Sequence, residues 1–209
     1  MAYVGEKFWD KTAAKYAQDP VRDEQTYQRK LSETQAVLKA DMNLLEFGCG
    51  TGTTAVHHAP HVATIKALDI SENMLEIGRG RAQEAGVSNV EFVHSTVFDY
   101  AAGSEELDGV LALNVLHLMA DWREAVVESA RILKPGGIFV TSTVCLANSK
   151  LRFIKWVEPL ARAVGLMPNL YILSEAELVD AIEGAGLQIE TRWQHAKDGI
   201  AVFIVARKN

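Results

Sequence analysis

Between residues 43 and 144, short apolar segments alternate with segments of helical periodicity, and this alternation limits the folds that the chain can adopt. The apolar segments at residues 44–47, 64–69, 90–93, 109–113 and 138–144 predict five strands. Strands that are separated by helices form a mostly parallel sheet with helices on both faces. The chain is therefore predicted to have a doubly wound α/β fold.

The two ends of the chain extend this pattern. Residues 187–193 and 200–206, joined by a polar loop, predict an antiparallel C-terminal hairpin, which brings the sheet to seven strands. Residues 6–40 predict two helices that form an N-terminal cap. The second helix has a periodic stripe that consists of Thr26, Tyr27, Lys30, Leu31, Thr34 and Leu38.

Several helix ends can be placed from the sequence. Asp23 and Ser71 are candidate N-caps, because a short polar side chain can accept a hydrogen bond from the first turn. Residues 121–124 resemble a capping box at the start of another helix. Pro135 stops that helix, since proline cannot continue the hydrogen-bond ladder. Ser174 is expected to open the last helix.

Length, charge and cysteine content narrow the class of protein. A chain of 209 residues suits a single domain, residues 1–209. The net charge of -6 argues against a nucleic-acid partner. Cys49 and Cys145 have neither disulfide nor metal-site spacing. Because no signal-peptide run and no stretch of about 18 apolar residues occurs, we expect a cytoplasmic protein without stable membrane association.

A glycine-rich turn follows the first predicted strand, at residues 46–52, and carries Gly48, Gly50 and Gly52. Glycines let the backbone turn sharply and approach a ligand closely. Asp69 ends the second strand, where a carboxylate can accept hydrogen bonds from both ribose hydroxyls of a nucleoside. A structural acid beside a helix start is the alternative interpretation of Asp69. The pairing of the turn with Asp69 favours a nucleoside site.

A dinucleotide-binding enzyme needs the same two elements, so an NAD-dependent oxidoreductase is an alternative. Such a site usually has a third glycine three positions after the second, which packs the helix against the strand. Thr53 occupies that position here. The second half of the chain also lacks a dehydrogenase constellation.

Four motifs, at residues 44–52, 68–71, 107–117 and 133–137, resemble those of the class I S-adenosylmethionine-dependent methyltransferases, in the same order. The resemblance is strongest to the small-molecule branch that includes type 11 and ubiquinone/menaquinone-type enzymes. It implies a Rossmann-like fold, S-adenosylmethionine as the cofactor, and methyl transfer to a small apolar acceptor. A methyltransferase that acts on a protein substrate remains an alternative.

The resemblance also implies which residues hold the methionine and ribose parts of the cofactor. Glu46 and the backbone of Gly48, Cys49 and Gly50 would hold the methionine end. Asp69 would hold the ribose.

The adenine and the sulfonium have their own implied neighbours. Ile70 and Met74 would lie against the adenine face, and Asn114 and Val115 would bracket the sulfonium. Two tyrosines in the N-terminal helices, Tyr16 and Tyr27, would contact the carboxylate or the acceptor, although packing of these rings on the core explains them equally well.

One motif departs from the family pattern. Relatives often have Gly-Asp-Ala after the third strand, with the aspartate on the adenine amino group, whereas residues 95–97 here are Ser-Thr-Val. Thr96 offers a hydroxyl and Val97 an amide in its place, and Asp99 is a possible substitute.

Transfer of a methyl group from a sulfonium depends mainly on holding the acceptor in line, so a general base is needed only for some acceptors. His117 is the candidate base, because it follows Asn114 by three residues and has a suitable pKa range. Packing of the next helix start is the alternative role. The histidines at positions 57, 58 and 61 are interpreted as a solvated helix end, and no metal is predicted.

Residues 146–172 interrupt the alternation of strands and helices. This segment contains more apolar residues than one buried face requires, which predicts a lid over a hydrophobic pocket. The competing interpretation is the interface of a homodimer. Transient membrane contact through a basic amphipathic helix is a third interpretation.

Overall fold

The computed structural model describes residues 3–21, 23–101, 106–147, 149, 167–195 and 199–209. Across these residues it contains one sheet of seven strands in the order β3-β2-β1-β4-β5-β7-β6. The strands are β1 (Asn43–Phe47), β2 (Thr64–Asp69), β3 (Val90–His94), β4 (Leu107–Leu113), β5 (Leu133–Val144), β6 (Leu187–Gln194) and β7 (Ala201–Lys208).

Strands β1 to β5 are mutually parallel, and β7 runs antiparallel to both β5 and β6. The predicted fold class, a mostly parallel seven-stranded sheet with an antiparallel C-terminal hairpin, is therefore confirmed. Strand β5 begins earlier than residue 138, where the sequence placed it. Leu133 already pairs with Leu107, and the register then shifts before Ile138 pairs with Gly109.

Seven α-helices occur in the same residues: α1 (Glu6–Gln18), α2 (Glu24–Gln35), α3 (Thr53–His58), α4 (Glu72–Glu84), α5 (Val97–Ala101), α6 (Trp122–Ile132) and α7 (Glu175–Gly184). The short helix α5 was not predicted.

The observed helix caps agree with those predicted from the sequence, with one exception. Asp23 and Ser71 accept hydrogen bonds from Thr26 and Met74, as predicted, and Ser174 forms a full capping box with Glu177. The predicted capping box at residues 121–124 is wrong: the Asp121 side chain makes no cap bond to the described first turn. Its backbone, at φ -100 and ψ 35, is not extended as a capping residue requires.

The sheet buries side chains on both faces. Neighbouring residues of β1 illustrate this, because Leu44 packs into one apolar cluster and Leu45 into the other. The Leu45 cluster includes Phe139 and the apolar face of α6, while the Leu44 cluster includes Ile65 and Leu75 of α4. Two covered faces leave the strand ends as the place where a ligand can enter.

Side-chain contacts hold the N-terminal helices over the carboxyl ends of the strands. Ser71 donates a hydrogen bond of 2.6 Å to the Asp10 carboxylate, which joins α1 to the start of α4. On α2, Glu33 accepts a hydrogen bond of 2.7 Å from the Trp193 indole of β6, and the Arg29 guanidinium lies 3.9 Å from the centre of a Trp193 ring. These contacts fix both helices relative to the sheet.

The predicted lid at residues 146–172 falls largely at residues 148 and 150–166, which lie outside the described residues. Where the described chain resumes at residue 167, the Tyr171 N–H donates a hydrogen bond of 2.8 Å to the His117 carbonyl. Of the helices in the described part of the chain, none has the length and apolar character needed to cross a membrane.

A notch formed by two glycines receives the Phe92 ring of β3. A Cβ added at Gly78 would lie 2.6 Å from Phe92 Cε1, and one added at Gly52 would lie 2.5 Å from the same atom. Gly80, two residues further along α4, has open space at the Cβ position.

Gly78→Ala and Gly80→Ala are therefore a matched pair in one helix. We expect Gly78→Ala to lower the free energy of unfolding by about 1–3 kcal/mol, because the new methyl group overpacks the notch. Gly80→Ala should raise it by about 0.5–1 kcal/mol, since alanine favours the helix. Urea denaturation measures both, and equal effects of the two substitutions would contradict the packing described.

Candidate functional site

The turn after β1 is held close to the end of β4. Gly48 has φ +65, and a Cβ at this residue would lie 2.3 Å from Val115 Cγ2. Only glycine meets both the backbone conformation and the close approach. The turn therefore lies directly against the residues that follow β4.

Asp69 joins the turn to the end of β2. Its carboxylate accepts a hydrogen bond of 2.8 Å from the Gly50 N–H and one of 2.9 Å from the Ser71 N–H. Burial raises the pKa of Asp69, and the hydrogen bonds from Ser71 and Gly50 lower it. Since a carboxylate has about four acceptor positions, two remain for a ligand.

Glu46 is the second buried acid of the site. It is 2% exposed, and its Oε2 atom has no hydrogen-bond partner among the described residues. Burial, with a smaller contribution from the Asp69 charge, raises the pKa of Glu46 to about 8. Buried polar atoms without partners are rare in folded proteins. Glu46 is thus protonated at neutral pH and has an acceptor available to a donor that enters the cavity.

Asn114 marks the end of β4. Among the residues that the structure describes, it is the one non-glycine residue with positive φ, at 59°. Its N–H donates to the Ser142 carbonyl at 2.7 Å, and its side-chain oxygen accepts from the Ser142 hydroxyl at 3.3 Å. Such conformations persist where the surroundings fix them, often at functional sites.

These elements line one cavity of about 1410 Å³ at the carboxyl ends of the strands. All thirteen residues predicted for the cofactor lie in its wall: Tyr16, Tyr27, Glu46, Gly48, Cys49, Gly50, Asp69, Ile70, Met74, Thr96, Val97, Asn114 and Val115. The structure therefore brings the predicted set together.

The candidate base, His117, lies apart from these cavity-lining residues. His117 lies in the 3₁₀ turn Leu116–Leu118 and is 8% exposed, and it is not among the described residues that line the cavity. Burial lowers the pKa of His117 to about 4. A buried position of this kind agrees with the alternative role of His117, which is packing at the start of the next helix.

The histidines of α3 and its 3₁₀ extension differ from one another. His57 and His61 are exposed, as a solvated helix end requires, but His58 is fully buried. The prediction is wrong for His58, because its ring points into the apolar interior, where burial lowers its pKa to about 4. Within the described ranges, no group of three or more His, Cys, Asp or Glu residues is arranged to hold a metal ion.

At the β3 end of the cavity, Thr96 and Asp99 form a local network. The Thr96 hydroxyl donates to the Asp99 carboxylate at 2.9 Å, and the Tyr3 hydroxyl donates to the same group at 2.9 Å. Above the glycine turn, the Tyr16 ring would lie 3.9 Å from a Cβ at Gly50. Aromatic side chains thus form the α1 side of the cavity wall.

Two cations in the cavity wall were not predicted as site residues. Arg81 donates to the Thr51 and Thr53 side chains, and at 2.9 Å to the Ala17 carbonyl of α1. Nothing in the sequence around Arg81 indicates this role. Lys30 lies on the periodic stripe of α2, and a lysine on an otherwise inward stripe was the signal that could have identified it.

The fold, with the glycine turn and the acid at the end of β2 on one cavity, is that of a Rossmann-like domain. Residues 45–141 match the model of a family described as "Methyltransferase domain". The predicted family resemblance is therefore confirmed over these residues, which make up less than half of the chain.

Two curated relatives agree with this assignment. An uncharacterized methyltransferase, YcgJ, from Bacillus subtilis (strain 168) is 33% identical over 105 residues, which cover 50% of this chain and 42% of the relative. A demethylmenaquinone methyltransferase from Clavibacter sepedonicus is 37% identical over 112 residues, which cover 53% of this chain and 45% of the relative. The chain matches less than half the length of either relative.

A solved structure is similar to this chain over nearly all of its length. The N-methyltransferase NodS from Bradyrhizobium japonicum WM9, in complex with S-adenosyl-L-homocysteine, has a TM-score of 0.74 and 16% identity, with 99% of each chain covered.

The raised pKa of Glu46 predicts how the free energy of unfolding depends on pH. Its usual value is 4.5, so the contribution of protonated Glu46 to folding is fully present below about pH 4.5 and is lost as pH rises towards 8. We expect Glu46→Gln to remove this loss, on the order of 2–4 kcal/mol between pH 5 and 8. Denaturation at several pH values measures it.

Glu76→Gln, on the exposed face of α4, is the matched control and should keep the wild-type pH profile. Parallel loss of stability in wild type and Glu46→Gln between pH 5 and 8 would show that Glu46 is charged in the folded protein.

Proposed function

We propose that this protein transfers the methyl group of S-adenosylmethionine to a small, apolar acceptor. The observation that supports this most is the position of Asp69 and Glu46, two buried acids on either side of one glycine turn and in the wall of one cavity. The methyltransferase domain at residues 45–141 supports the reaction class.

The residues present fit this cofactor. Asp69 has acceptor capacity left after its two backbone hydrogen bonds, which suits a pair of ribose hydroxyls. Glu46 has a buried oxygen without a partner among the described residues, which suits the ammonium of the methionine end. When bound, the cofactor supplies a methyl group that its sulfonium already activates.

The residues of the chain then act by position. Asp69 orients the nucleoside, Glu46 binds the amino-acid end, and Val115, packed on Gly48, fixes the cavity wall between them. Trp9 and Tyr16 form an edge-to-face pair in the α1 side of the wall and exclude water. Held reactants gain on the order of 7–11 kcal/mol in favourable cases, so a dedicated base is not required.

We place the acceptor against an apolar part of the cavity wall, which includes Val115, Leu118, Met119 and Tyr171. This lining favours a small apolar molecule over a protein substrate, which would need an open surface groove. His117 as a general base stays a prediction, to be tested by His117→Ala on an identified acceptor.

The rival NAD-dependent chemistry is disfavoured at Thr53. The Thr53 hydroxyl accepts a hydrogen bond from Arg81, whereas a dinucleotide site usually has a glycine at this position.

Asp69→Asn tests the proposal directly. We expect the variant to bind S-adenosylhomocysteine at least about tenfold more weakly, because one charged acceptor for two hydroxyls is lost. Isothermal titration calorimetry measures the affinity, and S-adenosylmethionine and NAD are titrated into the wild type alongside.

Asp108→Asn is the matched control. Asp108 lies at the start of β4, where it accepts hydrogen bonds from the Asn43 N–H and the Lys134 ammonium. The affinity of this variant should equal that of wild type. Binding of NAD without binding of either sulfur ligand would refute the proposed function.

A further inference from the structure

The order of the strands arranges the cavity from one end to the other. The residues proposed to hold the nucleoside follow β3 and β2, and those proposed to hold the methionine part follow β1. Strands β4 and β5 come next. Asn114 directly follows β4, and Ser142 lies two residues before the end of β5. A second substrate would therefore occupy the part of the cavity beside β4 and β5.

Lys30 lies at this second end. Its ammonium is 3.5 Å from the Ser142 hydroxyl, which in turn donates to the Asn114 side chain. The neighbouring residue on α2, Arg29, stacks on Trp193 of β6, so the helix that carries Lys30 is fixed on the β6 side of the sheet. Lys30 is half-buried and lines the cavity.

The Lys30 ammonium has more N–H donors than its described contacts use. In the described part of the structure its single hydrogen bond is the long one to Ser142, and it forms no ion pair. The Asp23 charge acts on Lys30 electrostatically, but that carboxylate also caps α2 through two contacts with Thr26. A lysine has three donors, so most of its capacity is unused.

The other described cation of the cavity wall, Arg81, makes four hydrogen bonds to the protein. Arg81 is bonded to Thr51, Thr53 and the Ala17 carbonyl, and it holds the glycine turn and α1 together. Lys30 has no such structural task. A partly buried charge that forms no ion pair is costly unless a ligand supplies the opposite charge.

We propose that Lys30 binds an anionic group of the methyl acceptor, which makes the acceptor a small apolar molecule with a carboxylate or an acidic hydroxyl. This inference rests on the proposed function. The apolar wall holds the body of the acceptor, and the ammonium selects its charged end. The same cation stabilises the deprotonated form of a phenol or enol, which fits a cavity that His117 does not line.

A pair of isosteric probes tests the proposal without an identified acceptor. The protein is saturated with S-adenosylhomocysteine, and the affinities of 2-naphthoate and neutral 2-naphthamide are measured by calorimetry. We expect wild type to prefer 2-naphthoate by about tenfold or more, a preference typical of a partly desolvated charge pair.

Substitutions at Lys30 should change this preference and leave the first ligand alone. Lys30→Met and Lys30→Gln should bind the two probes within about twofold of each other, and Lys30→Arg should keep most of the preference. Their affinity for S-adenosylhomocysteine should stay within about threefold of wild type. Lys39→Met, at an exposed position after α2, is the control and should behave as wild type.

Three results would overturn the proposal. Wild type binds neither probe or shows no preference, or the neutral variants keep the preference, or their affinity for S-adenosylhomocysteine falls by about tenfold or more. The last result would assign Lys30 to the cofactor carboxylate. Failure of wild type to bind S-adenosylhomocysteine at all would instead refute the proposed function.

Discussion

The site depends on two hydrogen bonds that end on one carboxylate. Asp69 accepts from the Gly50 N–H of the turn after β1 and from the Ser71 N–H at the start of α4. These bonds fix the turn against the end of the neighbouring strand and keep a buried acid in place near Glu46. The Asp69 charge raises the pKa of Glu46 further than burial alone, because it disfavours ionisation of a second acid nearby. A cavity with this charge arrangement favours ligands that bring hydroxyl and ammonium donors.

The N-terminal helices complete the cavity through contacts that are far apart in the sequence. Asp10 of α1 holds Ser71, which itself caps α4 beside Asp69. Arg81 reaches from α4 to the glycine turn and to the last turn of α1. On the other side, the Glu33–Trp193 hydrogen bond fastens α2 to the edge strand β6. The two ends of the cavity are therefore covered by separate helices with separate anchors.

The sequence predicted the order of the elements and thirteen residues of the cavity wall because local signals carry that information. The turn at residues 46–52 and Asp69 belong to strand ends, and parallel strands bring their carboxyl ends to one edge. Contacts that depend on tertiary packing could not be predicted in the same way. His58 follows an exposed histidine and carries no mark of burial, and Arg81 reaches residues that are 28 and 64 positions away. Asp121 has a capping sequence, but its backbone conformation overrides that preference.

The central claim is that Asp69 and Glu46 hold opposite parts of one ligand, and a crystal structure of the complex with S-adenosylhomocysteine tests it most directly. The account predicts ribose hydroxyls at hydrogen-bond distance from the Asp69 carboxylate, with the amino-acid end of the same molecule on the Glu46 side of the glycine turn. A ligand bound elsewhere, or one that leaves either acid without a contact, would contradict it.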